Sequence, residues 1–315
     1  MLITVFTPTY NRAKLLPRVY ESLCKQTFRD FEWVIVDDGS VDDTKNVIDK
    51  LIMGNGQFLP CKRPEVERTI VSKTSDTADN EELSIRYFYQ KNGGKHRAIN
   101  RGVNEARGEL FFIADSDDWL PDDALEKVAS QYKNIRLDHS FAGVAGFDAY
   151  PNGQIIGKGD SFNVLDCSPV DLWCKYHVKG DMKEVFRTDV LREFPFPEID
   201  GEKFCPEELV WIRISKKYKL RYFNQIIYIA DYLPDGLSSR IVKLRMDNPL
   251  TAMLDCKEYI EFGVPIKKSL KNAINYWRWF YCLPQKHPEF PKLSKIWSIT
   301  KPMGWLMHKM DLKEK

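Results

Sequence analysis

Along the first 130 positions, short apolar runs alternate with stretches whose apolar residues recur every three or four positions. Ile3 to Thr7 is one such run, ended by Pro8, and Glu32 to Val36 is another, ended by Asp37-Asp38-Gly39-Ser40. Runs that stay apolar, instead of alternating with polar residues, predict strands covered on both faces, as in a parallel sheet. Between them Leu15, Leu16, Val19 and Leu23 stand at helical spacing and predict a helix over 12–26, with Asn11 as its N-cap. Val47 to Leu51 predicts a second helix behind Asp42-Asp43-Thr44, capped by Ser40 or Asp42. Ile85 to Tyr89 restores a strand, and Asn92-Gly93-Gly94 reads as a glycine turn opening a helix. Leu110 to Ile113 is a further buried strand, with a helix expected over 122–133. The succession β-α-β-α predicts an α/β fold built on a mainly parallel sheet.

Past residue 140 the alternation loosens. Phe141 to Ala149 reads as a strand, and the turn signal Tyr150-Pro151-Asn152-Gly153 leads to 154–157 as the second arm of a hairpin. Val170 to Tyr176 is helix-like and Glu184 to Phe186 strand-like. Pro206-Glu207-Glu208 opens a helix, where two carboxylates at the positive end are worth about 0.3–1 kcal/mol each whatever else they do. Leu220 to Phe223 and Ile226 to Ile229 predict two strands, 233–240 a polar lid hinged at Gly236, and the chain from Pro249 onward helices. Periodicity fails between Gly54 and Glu82, which reads as a surface insertion.

Composition narrows the class. A chain of 315 residues with 43% hydrophobic and 29% charged residues has the make-up of a soluble globular protein, and a net charge of +2 argues against non-specific nucleic-acid binding. The seven cysteines are scattered without a Cys-x-x-Cys pair, which fits reduced thiols in a cytoplasmic protein better than a zinc site. Met1 to Phe6 enters a strand without the charged region of a secretion signal, and no apolar stretch reaches the ~18 residues of a spanning helix, so a cytoplasmic location with at most peripheral membrane contact is expected. The tail beyond Pro249 crowds Trp and Tyr with lysines, a composition that suits the interface of an anionic membrane. Helices packed on the body with their lysines in water would have the same composition.

The candidate chemistry lies where apolar runs end. Asp115-Ser116-Asp117-Asp118 follows the fourth strand, and carboxylates at i and i+2 leaving a strand can turn toward one hard cation, Mn²⁺ or Mg²⁺, that keeps positions open for substrate phosphates. Open α/β sheets bind their ligands at such strand ends. The same residues could be an acidic turn before the helix start Pro121-Asp122-Asp123. Asp37 and Asp38 could accept hydrogen bonds from a ligand, and Lys95 with the backbone N–H groups of the glycine turn could approach phosphate.

Taken together, Thr7-Pro8-Thr9-Tyr10-Asn11-Arg12, Gln26-Thr27-Phe28, Val36-Asp37-Asp38-Gly39-Ser40, Asn92-Gly93-Gly94 with Asn100, and Ala114-Asp115-Ser116-Asp117-Asp118 resemble the family 2 glycosyltransferases of GT-A fold over roughly residues 1 to 130. Gly180 to Arg187 and Gly201 to Glu207 look like a bacterial branch that builds capsular and related surface polysaccharides. The resemblance implies a GT-A domain over 1–245, with a nucleotide-binding half to about 130 and an acceptor-side half beyond it. A helical extension over 246–315 would follow. It implies that Thr7, Pro8, Tyr10, Asp38, Lys95, Asp115 and Ser116 hold the donor, Asp38 facing the base, and that Asp117 with Asp115 holds Mn²⁺ or Mg²⁺. Relatives carry Glu-Asp before a Trp-containing helix, the Asp acting as base. Here the pair is Glu207-Glu208, four residues before Trp211 counted from Glu207, so Glu207 is the expected base and Glu208 the fallback. The implied activity is inverting, metal-dependent transfer of a hexose or N-acetylhexosamine from a nucleotide sugar, most often UDP-linked, to a bacterial surface glycan such as capsule, O-antigen or exopolysaccharide. The acceptor would be a glycan, and a lipid-linked one would give the basic aromatic tail a purpose. An aspartyl-phosphate phosphatase would instead want Asp-x-Asp-x-Thr near the N-terminus, and Trp119 stands at the Thr position. A GT-A-like scaffold that binds a glycan or partner without turnover is the non-enzyme alternative.

Overall fold

All residues of β1 (Ile3–Thr9) and β2 (Phe31–Asp37) are buried, and alternate residues enter two different cores. Ile3, Val5, Trp33 and Ile35 face one core, whereas Phe6, Val34 and Val36 face the other. β4 (Leu110–Ile113) repeats the division with Leu110 and Phe112 against Phe111 and Ile113. A sheet covered on both sides therefore explains why the runs carry no polar alternation. The computed structural model describes residues 1–53, 83–157, 162–178, 180–231, 240–283 and 290–313. The expected insertion at 54–82 and residues 233–239 of the expected lid lie outside these.

The sheet has eight strands among the described residues, in the order β3-β2-β1-β4-β7-β5-β8-β6. β3 (Ser84–Tyr89), β2, β1 and β4 run parallel. β7 (Met182–Arg187) is antiparallel to both β4 and β5 (Phe141–Ala149). β8 (Lys219–Ile229) pairs parallel with β5, and β6 (Val164–Cys167) closes the edge. The helices α1 (Leu16–Cys24), α2 (Thr44–Met53) and α4 (Ala124–Lys133) cover the first face with Val19, Leu23, Ile48 and Val128. The second face is covered by α3 (Lys95–Glu105), α5 (Pro169–Cys174), α6 (Thr188–Glu193) and α7 (Glu207–Ser215).

Several expectations change. Asn11 does not cap α1, whose N-cap is Leu15. Its backbone is left-handed at φ 54°, its side-chain oxygen accepts from Val41 N at 2.8 Å, and its own N–H donates to Ser40 Oγ at 2.8 Å. Tying two strand-end loops together took precedence over extending the helix. The two strands expected between 220 and 229 are one strand, which absorbs its polar middle through register shifts against β5. The turn at 150–153 forms, yet 154–157 contributes only isolated bridges, Ile155 to Ala149 and Gly157 to Gly180.

C-terminal to the sheet come α8 (Ile241–Asp247), α9 (Pro249–Phe262), α10 (Ile266–Phe280) and α11 (Lys301–Asp311). The boundary expected at 245 falls inside α8. The buried Glu202 accepts from Leu250 N at 2.6 Å and Thr251 N at 2.7 Å, capping α9 with a charge that its dipole favours. Glu258 on α9 pairs with Arg213 at 3.0 Å and Lys216 at 2.7 Å, so these helices are fastened to the body. No helix among the described residues is long and apolar enough to cross a membrane.

The chain beyond β4 is fixed by the end of α1. Gln26 is fully buried; its Nε2 donates to Pro121 O at 2.7 Å and to Ser22 O at 3.2 Å, and its Oε1 accepts from Leu125 N at 3.0 Å. Gln26→Leu keeps the volume and removes both functions, stranding polar groups at a cost of about 1–3 kcal/mol each. A urea midpoint lowered accordingly, with an unchanged slope, is the expected result, and an unchanged midpoint would show that this side chain does not carry the junction.

Candidate active site

β1 lies between β2 and β4, so the sheet order reverses beside it and the carboxyl ends of these three strands diverge. A cleft of about 710 Å³ opens there. Pro8, Tyr10, Asp38, Lys95, Asp115, Ser116, Asp117, Glu207 and Glu208 all line it. Thr7 does not: its hydroxyl is buried and accepts from Trp33 Nε1 at 2.9 Å. Tyr10, 48% exposed at the rim, offers a ring to a planar ligand.

Asp38 organises the glycine turn. Its Oδ1 accepts from Gly93 N at 2.9 Å and Gln90 Nε2 at 2.7 Å, and its Oδ2 from Gly94 N at 2.7 Å and Asn92 Nδ2 at 3.1 Å. Both oxygens are thus engaged by the turn that delivers α3. Gly94 sits at φ 99°, and a Cβ there would lie 1.9 Å from Lys203 O, so only glycine fits. The opposing segment is held in turn by Asn248, whose Oδ1 accepts from Lys203 N at 2.6 Å and Phe204 N at 3.0 Å. The first residue of α3 is Lys95, placed where a helix N-terminus favours anions.

Lys95 Nζ bridges Asp115 at 2.6 Å and Glu207 at 2.8 Å. Burial alone would lower its pKa, but the two carboxylates outweigh burial and raise it. Asp115 also meets Lys183 Nζ at 3.7 Å; burial would raise its pKa, and the two ammonium groups hold it below the ordinary range. The loop beyond is scaffolded from β8: Tyr228 Oη accepts from Asp115 N at 2.8 Å, and Asp118 Oδ1 accepts from Asp231 N at 2.9 Å. Arg18 pairs with Asp231 at 2.9 Å, donates to Asp117 O and lies 4.3 Å from the Trp119 ring centre. Burial and the charge of Asp115 push Asp118 up to about 6.

Asp117 makes no ion pair among the described residues, and burial and the neighbouring Asp115 raise its pKa. A carboxylate in that setting gains from a cation. No group of three or more metal-ligating side chains occurs among the described residues. Asp115 is already met by Lys95 and Lys183, so a cation held by Asp117 and Asp115 would have to take its other ligands from phosphate and water, as Mg²⁺ and Mn²⁺ do.

The two candidate bases differ in setting. Glu207 opens α7 and touches Lys95, whereas Glu208 is 54% exposed and its closest ion pair is Arg245 at 3.9 Å. Sequence reasoning missed Lys183, Asp148, Tyr228 and His96, all of which line the cleft. Lys183 and Asp148 carried a signal, each being a charge inside a strand run. Tyr228 carried none. His96 is 1% exposed with neither ring nitrogen hydrogen-bonded, and burial lowers its pKa to about 4, so its ring is neutral at neutral pH.

Comparison with known proteins agrees with this architecture. The model of glycosyl transferase family 2 matches residues 4–70 and 68–154. Chondroitin synthase of Escherichia coli is 29% identical over 281 residues, 82% of this chain and 36% of that protein. Hyaluronan synthase of Pasteurella multocida is 26% identical over 251 residues, 78% of this chain and 22% of that one. The GalNAc(5)-diNAcBac-PP-undecaprenol beta-1,3-glucosyltransferase of Campylobacter jejuni is 27% identical over 218 residues, 68% and 60% respectively. The chain thus spans between 22% and 60% of the length of these relatives. S. aureus TarS 1–349, solved in complex with UDP-GlcNAc, superposes with a TM-score of 0.61 at 18% identity, covering 96% of this chain and 79% of that one. Mannosyltransferase PcManGT from Pyrobaculum calidifontis, solved with GDP-Man and Mn²⁺, gives 0.55 at 16% identity, covering 96% and 73%. The sheet order, the strand-end motifs and the family match lead to one conclusion: the fold is GT-A, and the chain belongs to glycosyl transferase family 2.

Proposed function

We propose that this chain is an inverting glycosyltransferase that moves a sugar from a nucleotide sugar, UDP-linked, to a hydroxyl of a bacterial surface glycan. The observation that carries the reading is the Lys95 bridge, which sets the expected base Glu207 beside Asp115 across one cleft. The names of the Campylobacter, Pasteurella and Escherichia relatives support a polysaccharide acceptor, lipid-linked in the Campylobacter case. In this reading the nucleotide binds over about 1–130, Tyr10 against the base and the turn of α3 with Lys95 against the diphosphate, and the acceptor enters from the 131–245 side.

Glu207 takes the proton of the acceptor hydroxyl, the oxygen bonds to the anomeric carbon, and the bond from that carbon to the phosphate oxygen breaks, so that nucleoside diphosphate leaves from the opposite face. Lys95 holds positive charge where the leaving group gains negative charge. A divalent cation, when bound at Asp117 and Asp115, would withdraw charge from the diphosphate as a Lewis acid. Retention of Asp115, Asp117 and Glu207 around one cleft favours turnover over a non-catalytic scaffold.

Titration calorimetry with UDP and GDP, with and without Mn²⁺, tests the donor site. UDP binding that strengthens with Mn²⁺ is expected, and Asp117→Ala should abolish the metal effect. Glu207→Gln should bind UDP like the wild type and lower sugar transfer by roughly 10²–10⁴-fold. Transfer by both variants at the wild-type rate would remove these residues from the mechanism. Binding of GDP alone would change the donor class, and binding of neither by a folded protein would favour the scaffold.

A peripheral contact with an anionic membrane fits the same reading. Ile296, Ile299, Met303, Leu306 and Met310 are 55–82% exposed on the 295–300 turn and α11, while Gly304 and His308 of the same helix are buried. Lys292, Lys295, Lys301, Lys309 and Lys313 are exposed along the same segment, and the acidic Asp311 is occupied by Arg278. The protein is expected to sediment with vesicles containing phosphatidylglycerol, less so at high salt, and not with phosphatidylcholine alone. Ile299→Glu with Met303→Glu should abolish sedimentation, and equal binding to both vesicle types would reject the contact.

A further inference from the structure

Asp115 carries two ammonium groups before any cation arrives: Lys95 Nζ lies 2.6 Å from its Oδ1 and Lys183 Nζ 3.7 Å from its Oδ2. A divalent cation bound to the same carboxylate sets its charge against both lysines. An ammonium then left in a buried site without a counter-ion is strongly unfavourable. Each lysine therefore needs a second carboxylate to which it can retreat. For Lys95 that group is Glu207, already 2.8 Å away. Lys183 is held more loosely, since 3.7 Å is too long for a hydrogen bond and its other contact is the Tyr228 ring centre, 4.0 Å away.

The second carboxylate for Lys183 is Asp148. Gly146 of β5 is the register partner of Lys183 on β7, and Asp148 stands two residues further along β5, its backbone N–H donating to Asp181 O at 3.0 Å. Residues two apart on a strand share a face, so Asp148 is the diagonal cross-strand neighbour of Lys183, roughly 7–8 Å away along the backbone and within reach of a lysine side chain. Both residues line the cleft. Oδ1 of Asp148 is buried without a hydrogen-bond partner. Burial pushes its carboxyl up to about 7; Lys183 opposes burial, and Asp181, Asp118 and Asp115 add to it. An ammonium brought alongside would ionise this group and supply the donor it lacks. Burial works against the charge of Lys183, and Asp115 first, then Asp148, outweigh burial. Asp118 faces Lys183 as well, but its Oδ1 is committed to Asp231 N at 2.9 Å.

We infer that Asp148 is a positioning residue of the cation site: Lys183 leaves Asp115 for Asp148 when a divalent cation binds, which frees Asp115 without stranding a buried ammonium. This rests on the metal-binding part of the glycosyltransferase reading above. It adds a residue of β5, distant in sequence from Asp115 and Asp117, that sets the affinity for the cation without touching it.

The test is Mn²⁺ binding to the folded protein at saturating UDP, read from the electron paramagnetic resonance of the free ion. Lys183→Met removes a competing charge and should tighten Mn²⁺ binding roughly tenfold, whereas Asp148→Asn removes the retreat and should weaken it roughly tenfold. The double variant should match Lys183→Met, because position 148 has no part once there is no ammonium to rehouse. Lys183→Gln should act in the same direction as Lys183→Met. General damage to the site would weaken binding in every variant, so the opposite signs separate positioning from a structural role. Mn²⁺ affinity unchanged by Asp148→Asn, or lowered by both substitutions of Lys183, would overturn the inference and leave the donor site standing. A wild-type protein that binds UDP but no Mn²⁺ would overturn it together with the metal reading, and one that binds neither would overturn the glycosyltransferase reading as well.

Discussion

One ammonium group holds the site together. Lys95 satisfies Asp115 from the sheet's central loop and Glu207 from α7, carboxylates that would otherwise face one another across a partly buried cleft. Like charges at that range raise one another's proton affinity and push the walls apart. The lysine can do this only because of its position: Asp38 gathers four donors into the glycine turn, and the turn aims the first residue of α3 inward. The three groups are 25–33% exposed, so their worth in stability is modest. Their worth in geometry is larger, because three elements share one charge.

The acidic loop is held from its other side by residues that do no chemistry. Gln26 fixes the chain beyond Trp119 to α1, Arg18 clasps Asp231 and Asp117, and Tyr228 supports the Asp115 backbone. In the proposed reading such support would matter, because a metal that took much of its coordination from substrate and water would tolerate little wandering of the carboxylates holding it.

Much of the first half could be read from the chain, since unbroken apolar runs and helical spacing are local signals, and because Asp115 and Asp117 sit where a run stops. Asn11 misled because a good capping residue was needed more for bridging two loops. Thr7 lies in the motif but on the side of the strand that faces Trp33, and which face a residue takes depends on strand register, not on residue type. The second half was harder. β8 reads as two strands because Asn224 and Gln225 interrupt its apolar pattern, and a bulged register tolerates them. Lys183 and Asp148 became meaningful only when β7 was seen to insert antiparallel between β4 and β5, a pairing across long sequence distances that no local pattern encodes.

Gly94 abuts the Lys203 carbonyl so closely that not even a methyl group fits between them. The glycine turn and the segment leading into the C-terminal helices therefore meet backbone to backbone, with Asn248 as the second clasp. The two halves of the molecule are for that reason not interchangeable parts. A chimera that takes its acceptor side from a relative inherits the correct cleft only if the donor's chain follows the same path past this glycine. Diversification of such an enzyme is thereby channelled into the walls beyond Glu207 and away from the seam.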